Sequence, residues 1–368
     1  DAPNYLKAPF SGRTWEDMAK AKVPFCVRLI DIAKSRPNEM AYKHKLGEEW
    51  VGVSWSQYSA LVQTAAKAFM ALGVKRGERV LLLAETRPEW AILALATQLV
   101  GGVLVSAYTS ASASTLSSII QEQLPAVLVT DDAQHWARLK ATGSRFSPLK
   151  YLVGLNTEID DRRGLQWEEF LQKASETRSH RLEGRIAQIQ FTDVSIVSYL
   201  ERRTRGVSLT HANEAFAGDT FTRICKFTSG DRILSFMPMA NATERALSIY
   251  QPINTGSLVY FGGELSKLHE NMSAVQPTVV FSAPVLWERF AGVFRSKLGS
   301  KDPTTLPSAV RKKLRKFIGC SRLRLGMSTT AGIHEDTLSF YRSLDMNVVS
   351  IYTKEALSGI GTFCDPEK

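Results

Sequence analysis

Two hydrophobic rhythms alternate along this chain. Short runs of consecutive aliphatic residues read as buried strands, and longer segments with apolar residues three and four apart read as amphipathic helices. The helical spacing first appears over 25–35, where Cys26, Leu29, Ile30 and Ala33 share a face. Residues 50–55 alternate as a strand. Ser56 is then the expected cap of a long helix with Leu61, Val62, Ala65, Ala66, Phe69 and Met70 on one stripe, and Gly73 ends it. Next come strands at 79–84, 103–107, 126–130 and 151–153. Helices at 88–100, opened by Pro88, and 114–123 fall between them. A polar connection over 156–188 carries one helix at 167–175. A second alternating series follows, with strands at 194–198, 232–235, 257–260, 279–282, 323–327 and 348–351. Its helices lie at 211–223, 243–255, 265–274, 284–298, 309–318 and 335–344.

Strands alternating with helices predict an α/β protein with parallel, doubly wound sheets. The pattern divides into an N-terminal arm and helix (1–45), a first α/β lobe (46–190) and a second α/β lobe (191–368). A length of 368 residues suits two lobes better than one small module. No apolar run reaches the roughly 20 residues of a membrane-spanning helix. Hydrophobic residues at 44% and charged residues at 22% exclude a disordered or fibrous chain. Cys26, Cys225, Cys320 and Cys364 lie far apart, so neither a disulfide framework nor a zinc site is expected. The spacing suits an intracellular, reducing compartment, mitochondrial or cytoplasmic. The first residue is Asp rather than Met and no charged-then-apolar leader precedes Phe10, so a processed or partial chain is expected.

Particular motifs narrow the class. The segments from Ser208 to Asn213, from Asp231 to Ala240 and from Phe281 to Arg289 resemble those of adenylate-forming acyl-CoA synthetases. Trp55-Ser56-Gln57-Tyr58, Arg87-Pro88-Glu89-Trp90, Gly101-Gly102 and Ala107-Tyr108-Thr109-Ser110 follow the same family order. Within the superfamily the chain is most similar to long-chain and bubblegum-type fatty-acyl-CoA ligases, from about residue 20 to the end. The resemblance implies the large N-terminal domain of these enzymes, with the small C-terminal domain and its lysine absent beyond Lys368. It also implies ATP-dependent adenylation of a fatty acid followed by thioester formation, with ATP, magnesium and coenzyme A as cofactors. Such chemistry needs a glycine- and hydroxyl-rich loop around phosphates and a carboxylate on the magnesium.

Those motifs are degenerate here. The phosphate-loop position is occupied by Ser198, Tyr199, Leu200, Glu201, Arg202, Arg203, Thr204, Arg205 and Gly206, of which only Ser198 and Gly206 keep the family identity. Arg205 stands for the lysine. Tyr199 and Arg202 stand for glycines, and a side chain at a positive φ costs roughly 1–2 kcal/mol. Glu201 sets an anion against a polyanion. The magnesium-associated glutamate position falls on Ala356 when Tyr352, Ser358 and Gly359 anchor the alignment; a one-residue shift puts Glu355 there and loses all three anchors. The adenine-side motif reads Ser328, Thr329, Thr330, Ala331, Gly332, with Tyr352 beyond, and Asn241 stands where histidine is common. No functional catalytic residue, bound cofactor or metal is expected. Glu201, Arg202 or Arg203 is expected to pair with Lys354 or Glu355 and fill the former cleft.

Charge adds a partner question. The net charge is +10, and seven of these charges come from the acid-free stretch 303–334. A helix there sets Arg311 with Arg315 and Lys312 with Lys316 at i,i+4 spacing, a solvated face or a phosphate-backbone contact. Phe236, Met237, Met239, Trp287 and Phe290 are either core or the lining of a retained acyl pocket. Three functions stay open: an inactive ligase-like pseudoenzyme serving as a structural or interaction subunit of a larger complex, an active long-chain fatty-acid–CoA ligase, and a basic RNA-associated scaffold in a ribonucleoprotein.

Overall fold

A computed structural model describes residues 23–363, apart from 145, 147, 148, 201–204, 264 and 300–302. Among the described residues fifteen strands run in chain order: β1 Met40–Leu46, β2 Glu49–Ser54, β3 Arg79–Leu83, β4 Val103–Ser106, β5 Val127–Thr130, β6 Tyr151–Gly154, β7 Gly164–Gln166, β8 Val194–Ser198, β9 Val207–Thr210, β10 Arg232–Ser235, β11 Leu258–Phe261, β12 Val279–Ser282, β13 Leu325–Ser328, β14 Val348–Lys354 and β15 Gly359–Phe363. They form a seven-stranded sheet, β7-β6-β5-β3-β4-β8-β9, and an eight-stranded sheet, β15-β14-β13-β12-β10-β11-β1-β2. Pairing is parallel except at edges, where β9 runs against β8, β2 against β1 and β15 against β14. Strands β4, β5 and β12 are buried at every position, as expected when helices cover both faces of a parallel sheet.

One hydrophobic core runs between the sheets, joining Leu82 and Leu104 of the first with Ile233, Val259 and Met327 of the second. Separate clusters cover the outer faces, around Trp136 and Leu152 on one side and Trp287 and Phe294 on the other. The helix Pro88–Leu99 is buried from Trp90 to Leu99, which explains its lack of a polar stripe.

The division at residue 190 does not follow the sheets. The hairpin β1–β2, from the arm and first lobe, joins the eight-stranded sheet beside β11, with Tyr42 opposite Val259 and its ring edge-on to Phe261 and Tyr58. Strands β8 and β9, assigned to the second lobe, extend the seven-stranded sheet, with Ile196 opposite Leu104. An apolar run marks a strand but not the sheet that takes it, so the chain crosses between lobes at both places.

Several local expectations shift. The helix Trp55–Ala71 is capped by Ser54, not Ser56: Ser54 Oγ accepts from the Gln57 amide at 3.3 Å, and Gln57 Oε1 accepts from the Ser54 amide at 2.8 Å. The helix expected at 243–255 contains a π-helical turn, Ala246–Tyr250. Pro252 has no amide hydrogen to continue the regular ladder, and the wider turn precedes it. The connection over 156–188 carries β7 and a further short helix, Ser179–Ile186, which buries only Leu182.

Candidate functional site

The carboxyl ends of β4, β8, β10 and β14 converge where open α/β sheets place their ligands. Ser106 ends β4 and Ser198 ends β8, their hydroxyls 3.2 Å apart. The turn after β10 leads through Met239 and Ala240 to Asn241, whose Oδ1 accepts from the amides of Thr243 at 2.9 Å and Glu244 at 3.4 Å. Asn241 is thus the cap of the helix Ala242–Arg245. That cap aims Arg245 into the junction of the two sheets, where its side chain is 2% exposed.

Arg245 is the centre of a buried polar knot. Its guanidinium donates to the carbonyls of Ala240 at 2.6 Å and Met239 at 3.2 Å, to Ser198 Oγ at 3.2 Å and to Glu355 Oε2 at 3.1 Å. Glu355, 4% exposed at its side chain, has both oxygens engaged: Oε2 also accepts from Ser198 Oγ at 2.7 Å, and Oε1 from the Ala242 amide at 2.8 Å. Burial opposes the Arg245 charge most strongly, but Glu355, Tyr250 and Glu214 together outweigh it and hold the guanidinium above its ordinary pKa. Glu355 therefore pairs with Arg245, a residue that the sequence pattern places only on a helix; the expected partners Glu201, Arg202 and Arg203 lie outside the described residues. A Glu244-Arg245 pair opening an otherwise apolar helical segment was the available signal.

Two other acids are buried beside the knot. Glu214 accepts from Ser195 Oγ at 2.5 Å and Gln98 Nε2 at 3.0 Å, and from the Tyr250 hydroxyl. Glu244 Oε1 accepts from Ser235 at 2.6 Å and Ser248 at 2.7 Å. Burial raises the Glu244 carboxyl to about 7 despite those hydroxyls.

The motif residues are dispersed. Tyr199 does not enter the cleft: its ring is 1% exposed in the outer core of the seven-stranded sheet, donating to Glu122 at 2.7 Å and accepting from Gln123 at 2.7 Å. Its φ is not positive, so the expected strain does not arise. Gly206 packs against this ring; a Cβ there would meet Val197 at 2.4 Å and Tyr199 at 2.8 Å. Leu200 and Arg205 are exposed, whereas Glu201, Arg202, Arg203 and Thr204 lie outside the described residues. Ala356 is exposed on a short 3₁₀ turn. Lys354 lies over the exposed Tyr352 ring at 5.4 Å. Ser328 is buried, Thr329 bonds Thr353 at 2.8 Å, Thr330 has a φ of +79°, and Ala331 and Gly332 are exposed.

A second feature is an apolar cavity of about 620 Å³ beside β10 and β12. Phe236, Met237 and Phe290 line it, together with Leu286, Val293 and Phe317. Met239 and Trp287 do not: both are fully buried in the core, and Trp287 donates to the Met327 carbonyl at 3.1 Å. At the cavity mouth lies the basic helix Ser308–Phe317, none of whose residues is buried. Arg311 and Arg315 turn back onto Asp345 at 2.9 and 3.6 Å, and Arg315 also bonds the carbonyls of Leu344 and Asp345. Lys312, Lys313 and Lys316 are exposed.

Two α/β sheets meeting at the carboxyl ends of their strands, over this cleft and cavity, define the large-domain architecture of the adenylate-forming class. The chain belongs to the AMP-binding enzyme family, which matches residues 30–354. It is similar to the long-chain-fatty-acid–CoA ligase ACSBG2 of Homo sapiens, 24% identical over 359 residues that cover 87% of this chain and 54% of the relative. It is also similar to the long-chain-fatty-acid–CoA ligase FadD15 of Mycobacterium tuberculosis, 26% identical over 71% of this chain and 44% of that protein. The chain therefore spans about half the length of the curated relatives it matches. Among solved structures, a long-chain-fatty-acid–CoA ligase (FadD1) from Archaeoglobus fulgidus superposes with a TM-score of 0.75 at 15% identity, covering 94% of this chain and 67% of that one. The N-terminal domain of FACL13 from Mycobacterium tuberculosis gives 0.75 at 17% identity, covering 94% and 79%. Both confirm the expected fold.

Proposed function

We propose that this protein is a ligase-fold scaffold that has lost adenylation and serves as a structural or interaction subunit. The observation that carries the reading is the Arg245–Glu355 knot. A magnesium ion needs oxygen atoms with lone pairs to spare. Glu355, the acid nearest the magnesium-associated position, has both oxygens engaged and a guanidinium 3.1 Å away. Ala356 supplies no side-chain ligand. A carboxylate neutralised by a guanidinium in this way is a poor ligand for magnesium-bound ATP, which supports the scaffold reading over the active-ligase alternative. The test is pyrophosphate release by the full-length protein with long-chain fatty acid, ATP and magnesium. Release above a no-fatty-acid control would overturn the proposal, and none is expected.

The cavity favours one retained property. Its lining is mostly apolar, and among the described lining residues only Arg289 and His269 are ionisable. An acyl chain matches that chemistry. Mass spectrometry of lipid extracted from the purified protein should find a co-purifying fatty acid or other single-chain amphiphile, and a lipid-free protein would contradict the retained pocket.

A further inference from the structure

We infer that the cavity beside β10 and β12 holds a single-chain amphiphile head outward, with its anionic group at Arg289 and His269 on the rim and its chain running inward. The inference rests on the acyl-chain reading of the cavity and adds the orientation and the charge of the head. The lining divides into two ends. Phe236, Leu268, Phe290 and Ile318 are buried and form the inner wall, whereas Val285 at 71% exposure and Leu265 at 65% stand at the opening. Both ionisable lining residues are exposed as well: Arg289 lies one turn from Val285 on helix Pro284–Leu298, and His269 lies on helix Leu268–Val275. An apolar interior with its charge at one end suits a ligand of the same polarity.

Among the described lining residues no other is ionisable, so the inner end offers an anion no charge. The turn from Phe236 to Pro238 runs on to Met239 and Ala240, whose carbonyls accept from Arg245, and Arg245 is itself committed to Glu355 at 3.1 Å. An acid head buried there would lose its hydration with no cation in return. At the rim the balance reverses. Of the cations on helix Pro284–Leu298, Arg295 lies over the Phe340 ring at 4.7 Å and Lys297 over the Phe317 ring at 3.8 Å, but no hydrogen bond or ion pair joins Arg289 to another of the described residues. A guanidinium can give a carboxylate or a phosphate two parallel hydrogen bonds. The His269 ring, 5.5 Å from that of Phe317, adds a ring N–H donor. Glu270, the next residue, is held by Lys45 at 3.4 Å.

Stearic acid carrying a nitroxide at carbon 5 or at carbon 16 tests the orientation on the full chain. Electron paramagnetic resonance should show both probes immobilised, with ascorbate reducing the carbon-5 label readily and the carbon-16 label slowly. Displacement of the probe by dodecanoate, dodecyl phosphate and dodecanol reads the head group. Both acids should compete better than the alcohol, and the tighter of the two distinguishes a carboxylate from a phosphate ligand. Arg289→Gln should weaken the two charged competitors about 10-fold and leave dodecanol unchanged. Arg289 is exposed, so the variant should keep the wild-type circular dichroism spectrum. A carbon-16 label more accessible than the carbon-5 label, equal competition by acid and alcohol, or unchanged competition in the variant would overturn the inference and leave the acyl-chain reading in place. Probes that do not bind at all would overturn both. The scaffold reading is tested separately, by pyrophosphate release.

Discussion

Removing one member of the Arg245–Glu355 pair should expose how much of the domain junction it holds. Their side chains are 2% and 4% exposed, so neither charge can recover hydration without opening the interface. Glu355→Leu leaves a buried guanidinium with two carbonyls and two hydroxyls but no directly paired carboxylate. Arg245→Met leaves a buried carboxylate with one amide and one hydroxyl. Breaking a buried ion pair from one side costs about 3–5 kcal/mol. Replacing both members removes both desolvated charges together, so the double variant should lose far less than the sum. A coupling energy of about 2 kcal/mol or more is expected. Urea unfolding of the four proteins measures it. Single-variant losses below about 1 kcal/mol, or strict additivity, would refute the claim that these residues form one buried unit.

Glu244 should make stability depend on pH. Its carboxyl is raised to about 7 in the folded protein, by burial above all, from an ordinary value near 4.5. The folded state therefore holds a proton that the unfolded chain gives up, and this contribution is full below pH 4.5 and lost as pH rises toward 7. Glu244→Gln should flatten that segment of a stability–pH curve and gain roughly 2–3 kcal/mol relative to wild type at pH 8. A parallel curve would contradict the assignment. At the former phosphate loop, Gly206→Ala pushes a methyl into Val197 and the Tyr199 ring, and should destabilise by about 1–3 kcal/mol in denaturant melts. Tyr199→Phe removes the hydroxyl shared by Glu122 and Gln123 and should cost about 1 kcal/mol. Neutral effects would mean that the ring is not fixed there.

Most strands were legible because three or four consecutive apolar residues between turn signals have few other fates, as at β3 and β12. Their assignment to sheets was not, since Tyr42 opposite Val259 and Ile196 opposite Leu104 are long-range pairings with no local signature. At the site, the loss of family residues was plain in Tyr199, Arg205 and Ala356. What replaced them was not. Tyr199 turned into the outer core because Gly206 leaves room beside its ring, and Glu355 found Arg245, 110 residues earlier in the chain, through a cap at Asn241. Residues 311 and 315 carried the same charge pattern as 312 and 316, yet Asp345 separates the helix's anchoring arginines from its exposed lysines.

The central claim is that a fixed arginine–carboxylate pair now stands where magnesium-bound nucleotide would be held. Calorimetric titration of the full-length protein with magnesium-ATP tests it most directly. The account predicts no binding heat and no saturation into the millimolar range; a saturable isotherm in the micromolar range, abolished by Glu355→Leu, would contradict it.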